Sequence, residues 1–231
     1  MKLEFDIDPE AAIRLFLIII VALAAASLVG QVSTYYLGDG HLQGFVPQFN
    51  LDREMNVPNW FSSMLFLFSA ALLWKAGEVA GPSGEAFRKY WRGLTVVFVY
   101  ISIDDVAAIH EMAVDPFRKW LHAGGWLYFT WVVPAIAIVA VLTVLYLRLF
   151  LALPPRTKRF FVLSAFLFFA GAFGLEMVGG HYVEFHGAQN FRYALIANAE
   201  EILEMLGQVA FIKGLFTLFP SRGNQENPAS G

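Results

Sequence analysis

Asp104, Asp105, His110 and Glu111 stand within eight residues of one another, directly after a stretch, 93–101, that carries no charged side chain. An ionisable side chain inside a bilayer costs roughly 2.5–3.5 kcal/mol on insertion scales, so such groups are paired, hydrated or liganded. Two further segments bring acids to comparable positions. One holds Glu176 just before Gly179 and Gly180, with His181, Glu184 and His186 in the loop expected beyond them. The other reads Asn-Ala-Glu-Glu-Ile-Leu-Glu-Met-Leu-Gly-Gln over 198–208. There Glu201, Glu204 and Gln208 form one helical stripe at i, i+3 and i+7, with Glu200 beside it. On a continuous helix Asp104 and Glu111 share a face, Asp105 lies next to them, and Ser102 sits about one turn back. His110 is about 100° away from Glu111 around such a helix.

Carboxylates alone suit hard cations such as calcium, magnesium or manganese, and an added imidazole admits zinc and iron. The expectation is a divalent metal (Zn, Fe, Mn or Ca) held by Asp104, Asp105, His110, Glu111, Glu176, Glu200, Glu201 and Glu204. Ser102, Asp52, Glu54, His181, Glu184, His186 and Gln208 are possible additions. The competing expectation is a set of hydrated or protonated carboxyl groups with no metal. Neither Glu-x-x-His nor His-Glu-x-x-His occurs in the chain. In 50–56, Asn50, Asp52, Glu54 and Asn56 fall on alternate positions, like the first ligands of a calcium loop, but the glycine and distant glutamate of an EF-hand are missing. A polar loop capping the next helix through Asn56 or Asn59 explains them as well. A combined version folds this loop over the bundle and adds Asp52 or Glu54 to the acidic cluster.

The elements that must position these residues are helices in a membrane. Of 231 residues 58% are hydrophobic and only 15% charged, with a mean hydropathy of +0.57; soluble domains average about 25% charged. The absence of cysteine excludes disulfides, thiolate metal sites and cysteine nucleophiles. No nucleic-acid motif or basic cluster is present, so the expected partner is the lipid bilayer, with the oligomeric state left open. Six apolar helices are expected at about 11–32, 59–75, 91–112, 127–153, 159–180 and 191–219. They form one all-α bundle over 1–219, followed by a polar cytoplasmic tail, 220–231. Asp8-Pro9 is a helix start. Ala24-Ala25-Ala26-Ser27 could pass for a cleavage site, but Glu4, Asp6, Asp8 and Glu10 are wrong for a secretory signal, so the first helix is read as retained. The aromatic stretch 117–126 is expected at the membrane interface. Ala170 and Gly174 form a small-xxx-small pair for close helix approach.

Six spans place both termini on one side. With that side cytoplasmic, twelve of the sixteen Lys and Arg lie within, the positive-inside pattern. Twelve of the nineteen acids and all five histidines then fall in the outer half. An outward-facing cation site is the simplest cause.

The strings Leu-Asp-Arg-Glu-Met-Asn-Val-Pro-Asn-Trp-Phe-Ser-Ser (51–63), Ser-Ile-Asp-Asp-x4-His-Glu (102–111) and Glu-Glu-Ile-Leu-Glu-Met-Leu-Gly (200–207) resemble those of bacterial multipass inner-membrane proteins. That resemblance implies a bacterial plasma membrane and brings no activity with it. Ser102, Asp105 and His110 also match, by residue type, the zinc site of the alkaline ceramidase-like membrane hydrolases. The chain has no late His-x3-His and six expected spans where that group has seven. The acidic constellation itself admits three functions: a metal-dependent hydrolase or oxidoreductase acting on a lipid or other amphiphile, a cation or proton-coupled transporter, or a structural subunit of a membrane complex.

Overall fold

The computed structural model describes residues 8–79 and 85–219. The acidic start before Asp8 and the polar tail 220–231, both read above from sequence, lie outside the described residues. Those described are all-helical, without a strand.

Helix α1 (Pro9–Val32) starts as its sequence dictates. The Asp8 carboxylate accepts from the Glu10 and Ala11 amides, and proline occupies the first turn. A π turn, Ser33–Leu37, extends α1 to Gly38, whose φ of +75° ends it. The following loop contains a short helix, α2 (Phe45–Phe49). Helix α3 (Val57–Val79) is capped by Asn56, whose Oδ1 accepts from the Asn59 amide at 3.1 Å. After α4 (Glu85–Ala107) come a 3-10 turn and α5 (Val114–Leu121). Helix α6 (Val132–Ala152) starts five residues later than the expected 127. A 3-10 turn, Gly125–Leu127, precedes it, and Pro134 sits in the first turn, where its missing N–H does no harm. Then follow α7 (Pro155–Phe169), α8 (Glu176–His186) and α9 (Phe191–Phe216).

Among the described residues four stretches are long and apolar enough to cross a membrane: Pro9–Leu37, Val57–Val79, Val132–Ala152 and Pro155–His186. The pair Phe87–Ala107 and His110–Leu121, bent by 78°, makes a fifth if it counts as one broken span. The sixth expected span is α9. At 26 residues it is about 39 Å long, but Arg192, Glu200, Glu201, Glu204 and Lys213 break its apolar character. Helix α9 is instead the hub, packed against α1, α3, α7 and α8. Leu65 and Leu73 of α3 and Met205, Ile212 and Leu215 of α9 are at most 1% exposed. Apolar side chains on α1 and α6, such as Val21, Val29, Ile138 and Val144, stay exposed, as lipid-facing surfaces do.

The continuous helix expected over 91–112 is interrupted. Ala108 adopts φ +51° and the Ile109 amide bonds back to the Asp104 carbonyl, the 6→1 bond of a Schellman ending. The Asp105 carbonyl accepts from Asn59 Nδ2 of α3 at 2.9 Å. The break removes the shared face of Asp104 and Glu111 and leaves Glu111 exposed. A left-handed alanine costs roughly 1–2 kcal/mol, so Ala108→Gly is expected to stabilise the protein by about 1 kcal/mol. In an unbroken helix the same change would destabilise by about 1 kcal/mol. The sign of the shift in thermal unfolding in detergent decides between the two.

The fifth expected helix, 159–180, also differs. A π turn, Ala170–Leu175, joins α7 to α8, and the helix passes straight through Gly179 and Gly180 to His186. His181, Glu184 and His186 are therefore helical and do not belong to a loop. The two glycines are packing sites: a Cβ on Gly180 would stand 3.0 Å from Tyr128 Cβ, and one on Gly179 would touch Tyr193 and Ile196. The close approach expected at Gly174 occurs one residue beyond Ala170. A Cβ on Gly171 would meet the Glu200 carbonyl at 2.8 Å, whereas Gly174 has only the Phe169 carbonyl, at 3.9 Å.

Candidate functional site

Helix α9 supplies the floor of an acidic chamber with Glu200, Glu201 and Glu204, all half-buried. Glu201 lies within Coulombic reach of Glu204, Asp105, Glu54 and Asp52, and Glu204 within reach of Asp105, Glu176 and Glu54. Four chain segments thus converge: the loop before α3, the end of α4, the start of α8, and α9. The π turn contributes directly, because i→i+5 bonding brings residues five apart close to one face. Gly171 lets α7 approach α9, and Glu176 follows on the same side.

One wall is tied by aromatic and carboxyl contacts. Trp131 Nε1 donates to Glu176 Oε1 at 2.6 Å. The Glu176 and Glu200 carboxyl groups are near neighbours. At the break, His110 Nδ1 stands 3.2 Å from Asp104 Oδ2. Below these groups, Gln208 Nε2 donates to Ser62 Oγ at 2.8 Å, and Ser62 lies beside the Asp105 carboxylate.

The loop over 50–56 forms the lid, as in the combined version of the sequence reading. Its alternate oxygens do not gather as a calcium loop. Asn50 Oδ1 accepts from Gln31 Nε2, and Asn56 caps α3. Asp52 Oδ1 accepts from the Tyr193 hydroxyl at 3.1 Å, and Glu54 Oε2 from Asn59 Nδ2 at 3.4 Å. Burial, with repulsion from Glu111 and Asp104, pushes the Glu54 carboxyl up to about 7 against the pull of His110. Surrounding protein pushes Asp52 up to about 6, although one side of it stays open to solvent.

The remaining candidates lie elsewhere. Ser102 is spent on helix pairing: the Ser63 hydroxyl donates to its carbonyl at 2.7 Å, and its own hydroxyl to the Ser63 carbonyl at 3.0 Å. His181 stacks on Trp126 with 4.6 Å between ring centroids, Glu184 accepts from the Gly125 amide, and His186 faces the Tyr182 carbonyl. His181 and Glu184 fasten α8 to the turn before α6, His186 contacts only its own helix, and none of the three is among the chamber's contacts.

Asn59, Ser62, Trp131 and Tyr193 belong to the site but were not singled out as site residues from sequence. Asn59 and Ser62 carry a readable signal, being polar residues three apart in an apolar span.

Among the described residues no arginine or lysine forms an ion pair with the chamber's acids; Arg53 acts on Asp52 only from a distance. Among the described residues the ion pairs are His110–Asp104, Arg118–Asp115 and Lys213–Glu10. Arg53 and Arg192, the outer arginines closest in sequence to these acids, are exposed. Buried polar atoms without a hydrogen-bond partner include Asp104 Oδ1, Asp105 Oδ2 and Gln208 Oε1, and Gln208 as a whole is only 4% exposed. All three are acceptors, so what they lack is a donor or a cation. Among the described residues no three His, Asp or Glu groups already stand close enough to enclose a metal ion.

No curated protein and no solved structure matches the chain. One family's sequence pattern does match, over residues 13–219, which takes in every member of the chamber. The chain belongs to that family, described as Domain of unknown function (DUF8692).

Proposed function

We propose that this is an integral membrane protein that binds a divalent cation in its acidic chamber and uses it in chemistry on a lipid or other amphiphile. The observation that carries the reading is an uncompensated group of carboxylates with buried, partnerless acceptors on Asp105 and Gln208. The donor set is oxygen-rich with one imidazole, which fits manganese, iron, zinc or calcium. Loading would draw the chamber together. Glu201 and Glu204 have three side-chain torsions each with which to close on an ion. The bound ion would supply Lewis-acid activation of water or of a substrate oxygen. The chain's own part is to hold it beneath the lid and beside Trp131.

The topology that suits this reading has six spans, with α9 as the sixth, sheltered from lipid by its neighbours. Both termini are cytoplasmic in a bacterial inner membrane, and the chamber faces the periplasm. A second reading, a cation or proton-coupled transporter, is favoured by the break after Ala107, because discontinuous helices line transport sites.

Elemental analysis of purified protein equilibrated with manganese or zinc tests the shared core of both. About one ion per chain is expected, with loss of binding of 100-fold or more in Glu201→Gln combined with Glu204→Gln. Sub-stoichiometric metal in the wild type, unchanged by the substitutions, would sink the proposal. Saturable ion flux in liposomes would promote transport over catalysis.

A further inference from the structure

We infer that His110 is the chamber's nitrogen ligand, through Nε2, and that Asp104 is the positioning residue that fixes the imidazole. This rests on the cation reading above.

The geometry begins with the break. Six residues apart on a continuous helix, Asp104 and His110 would be about 9 Å apart along the axis and on different faces. The left-handed Ala108 and the turn His110–Ala113 fold the chain back, so that His110 Nδ1 comes 3.2 Å from Asp104 Oδ2. In the neutral imidazole a carboxylate beside Nδ1 holds the single proton there and leaves the Nε2 lone pair free. Asp104 Oδ1 is buried without a partner, so among the described residues the imidazole is the partner its carboxylate has.

The ring's other contacts limit its freedom. It stands edge-on to Trp131, with centroids 5.0 Å apart and planes at 61°. The Trp131 N–H is committed to Glu176 and cannot serve the histidine. Nε2 has no hydrogen-bond partner among the described residues, while Glu54, Glu111, Asp105 and Glu176 all lie within Coulombic reach of the ring. A metal-ligating histidine characteristically donates its second ring N–H to a carboxylate, which fixes the tautomer and raises the basicity of the ligating nitrogen. The Asp104–His110 pair has that form, and the partnerless Gln208 Oε1 and Asp105 Oδ2 mark where the same ion would find oxygen. A nitrogen ligand moves the preferred ion from calcium or magnesium towards zinc, iron or manganese.

The test uses full-length protein labelled with ¹⁵N-histidine, first without metal and then with one equivalent of zinc, with His110 assigned through His110→Gln. Without metal, the His110 signals should show a protonated Nδ1 and an unprotonated Nε2. Zinc should shift Nε2 and leave Nδ1 protonated. Asp104→Asn should randomise the tautomer and weaken zinc binding roughly 10–100-fold while keeping the Nε2 shift. Asp104→Glu should restore the tautomer.

Zinc bound at full stoichiometry with Nε2 unmoved overturns the ligand assignment and leaves the cation reading standing. No zinc bound at all removes both. A doubly protonated ring in the metal-free protein, or a tautomer unchanged by Asp104→Asn, overturns the positioning role. The metal-free and zinc-loaded wild-type spectra decide the ligand question even if a variant fails to fold.

Discussion

Saturating divalent cation is expected to raise the melting temperature by roughly 5–10 °C at about pH 7.5 and by little at about pH 5. The magnitude follows from mass action: an ion at about 100 times its Kd adds about 2.7 kcal/mol of stability. For a chain of this size each kcal/mol is worth roughly 2–4 °C. The pH dependence follows from the lid. Glu54 titrates near 7 and Asp52 near 6, both above their ordinary values because protein crowds them. At about pH 5 both hold protons, which an entering cation has to expel. At about pH 7.5 they are ionised and attract it.

The same groups set the stability of the cation-free protein, with the opposite sense. A carboxyl whose folded value is raised contributes stability that is fully present below its unfolded value and lost as pH rises through the folded one. For Glu54 that loss runs from about 4.5 to about 7, and for Asp52 from about 3.8 to about 6. The cation-free protein should therefore melt lower at about pH 7.5 than at about pH 5, and added cation should reverse the order. Glu54→Gln should flatten part of the slope by removing one of the two groups. Differential scanning fluorimetry in detergent reads all of this. A cation effect independent of pH would detach the lid from the site.

Much of the chamber was legible in the sequence because its members repeat at helical spacing in segments that are otherwise apolar. Asp104, Asp105, Glu176, Glu200, Glu201 and Glu204 were each conspicuous by cost; the structure brings the last five within reach of one another, while Asp104 stands by Glu54, Asp105 and His110. The break in α4 was not legible. Val-Ala-Ala-Ile over 106–109 contains neither glycine nor proline, and nothing local asks for a left-handed residue there. The stop is tertiary: Asn59, on another helix, takes the Asp105 carbonyl, and Asp104 meets His110 across the gap. Gly179 and Gly180 misled in the other direction. Their local propensity says helix end, whereas their lack of side chain serves Tyr128, Phe129 and Tyr193. Helix α9 shows the limit of composition: its acids disqualify it as an apolar span, and the same acids make it the centre of the site.

The packing that holds α7 against α9 supplies the second large effect. A Cβ on Gly207 would stand 2.7 Å from the Phe168 amide nitrogen and 2.8 Å from its Cβ, distances that real Cβ contacts do not reach. The obstacle is backbone, so no rotamer change relieves it, and Gly207→Ala has to push the two helices apart. Overpacking typically costs about 1–3 kcal/mol, and this site belongs at or above the upper end, so a loss of about 3 kcal/mol is expected. Gly174→Ala is the control. It meets only the Phe169 carbonyl at 3.9 Å, and replacing a helical glycine by alanine is favourable by up to about 1 kcal/mol. The consequence extends to the chamber, because the same helix pair sets the spacing of Gly171 from Glu200 and seats Glu204 Cγ 2.9 Å from where a Gly171 Cβ would be. Gly207→Ala should thus weaken cation binding as well as lower the melting temperature, while Gly174→Ala leaves binding unchanged. If Gly207→Ala destabilises the protein and binding at low temperature stays at the wild-type level, the α7–α9 spacing does not set the site.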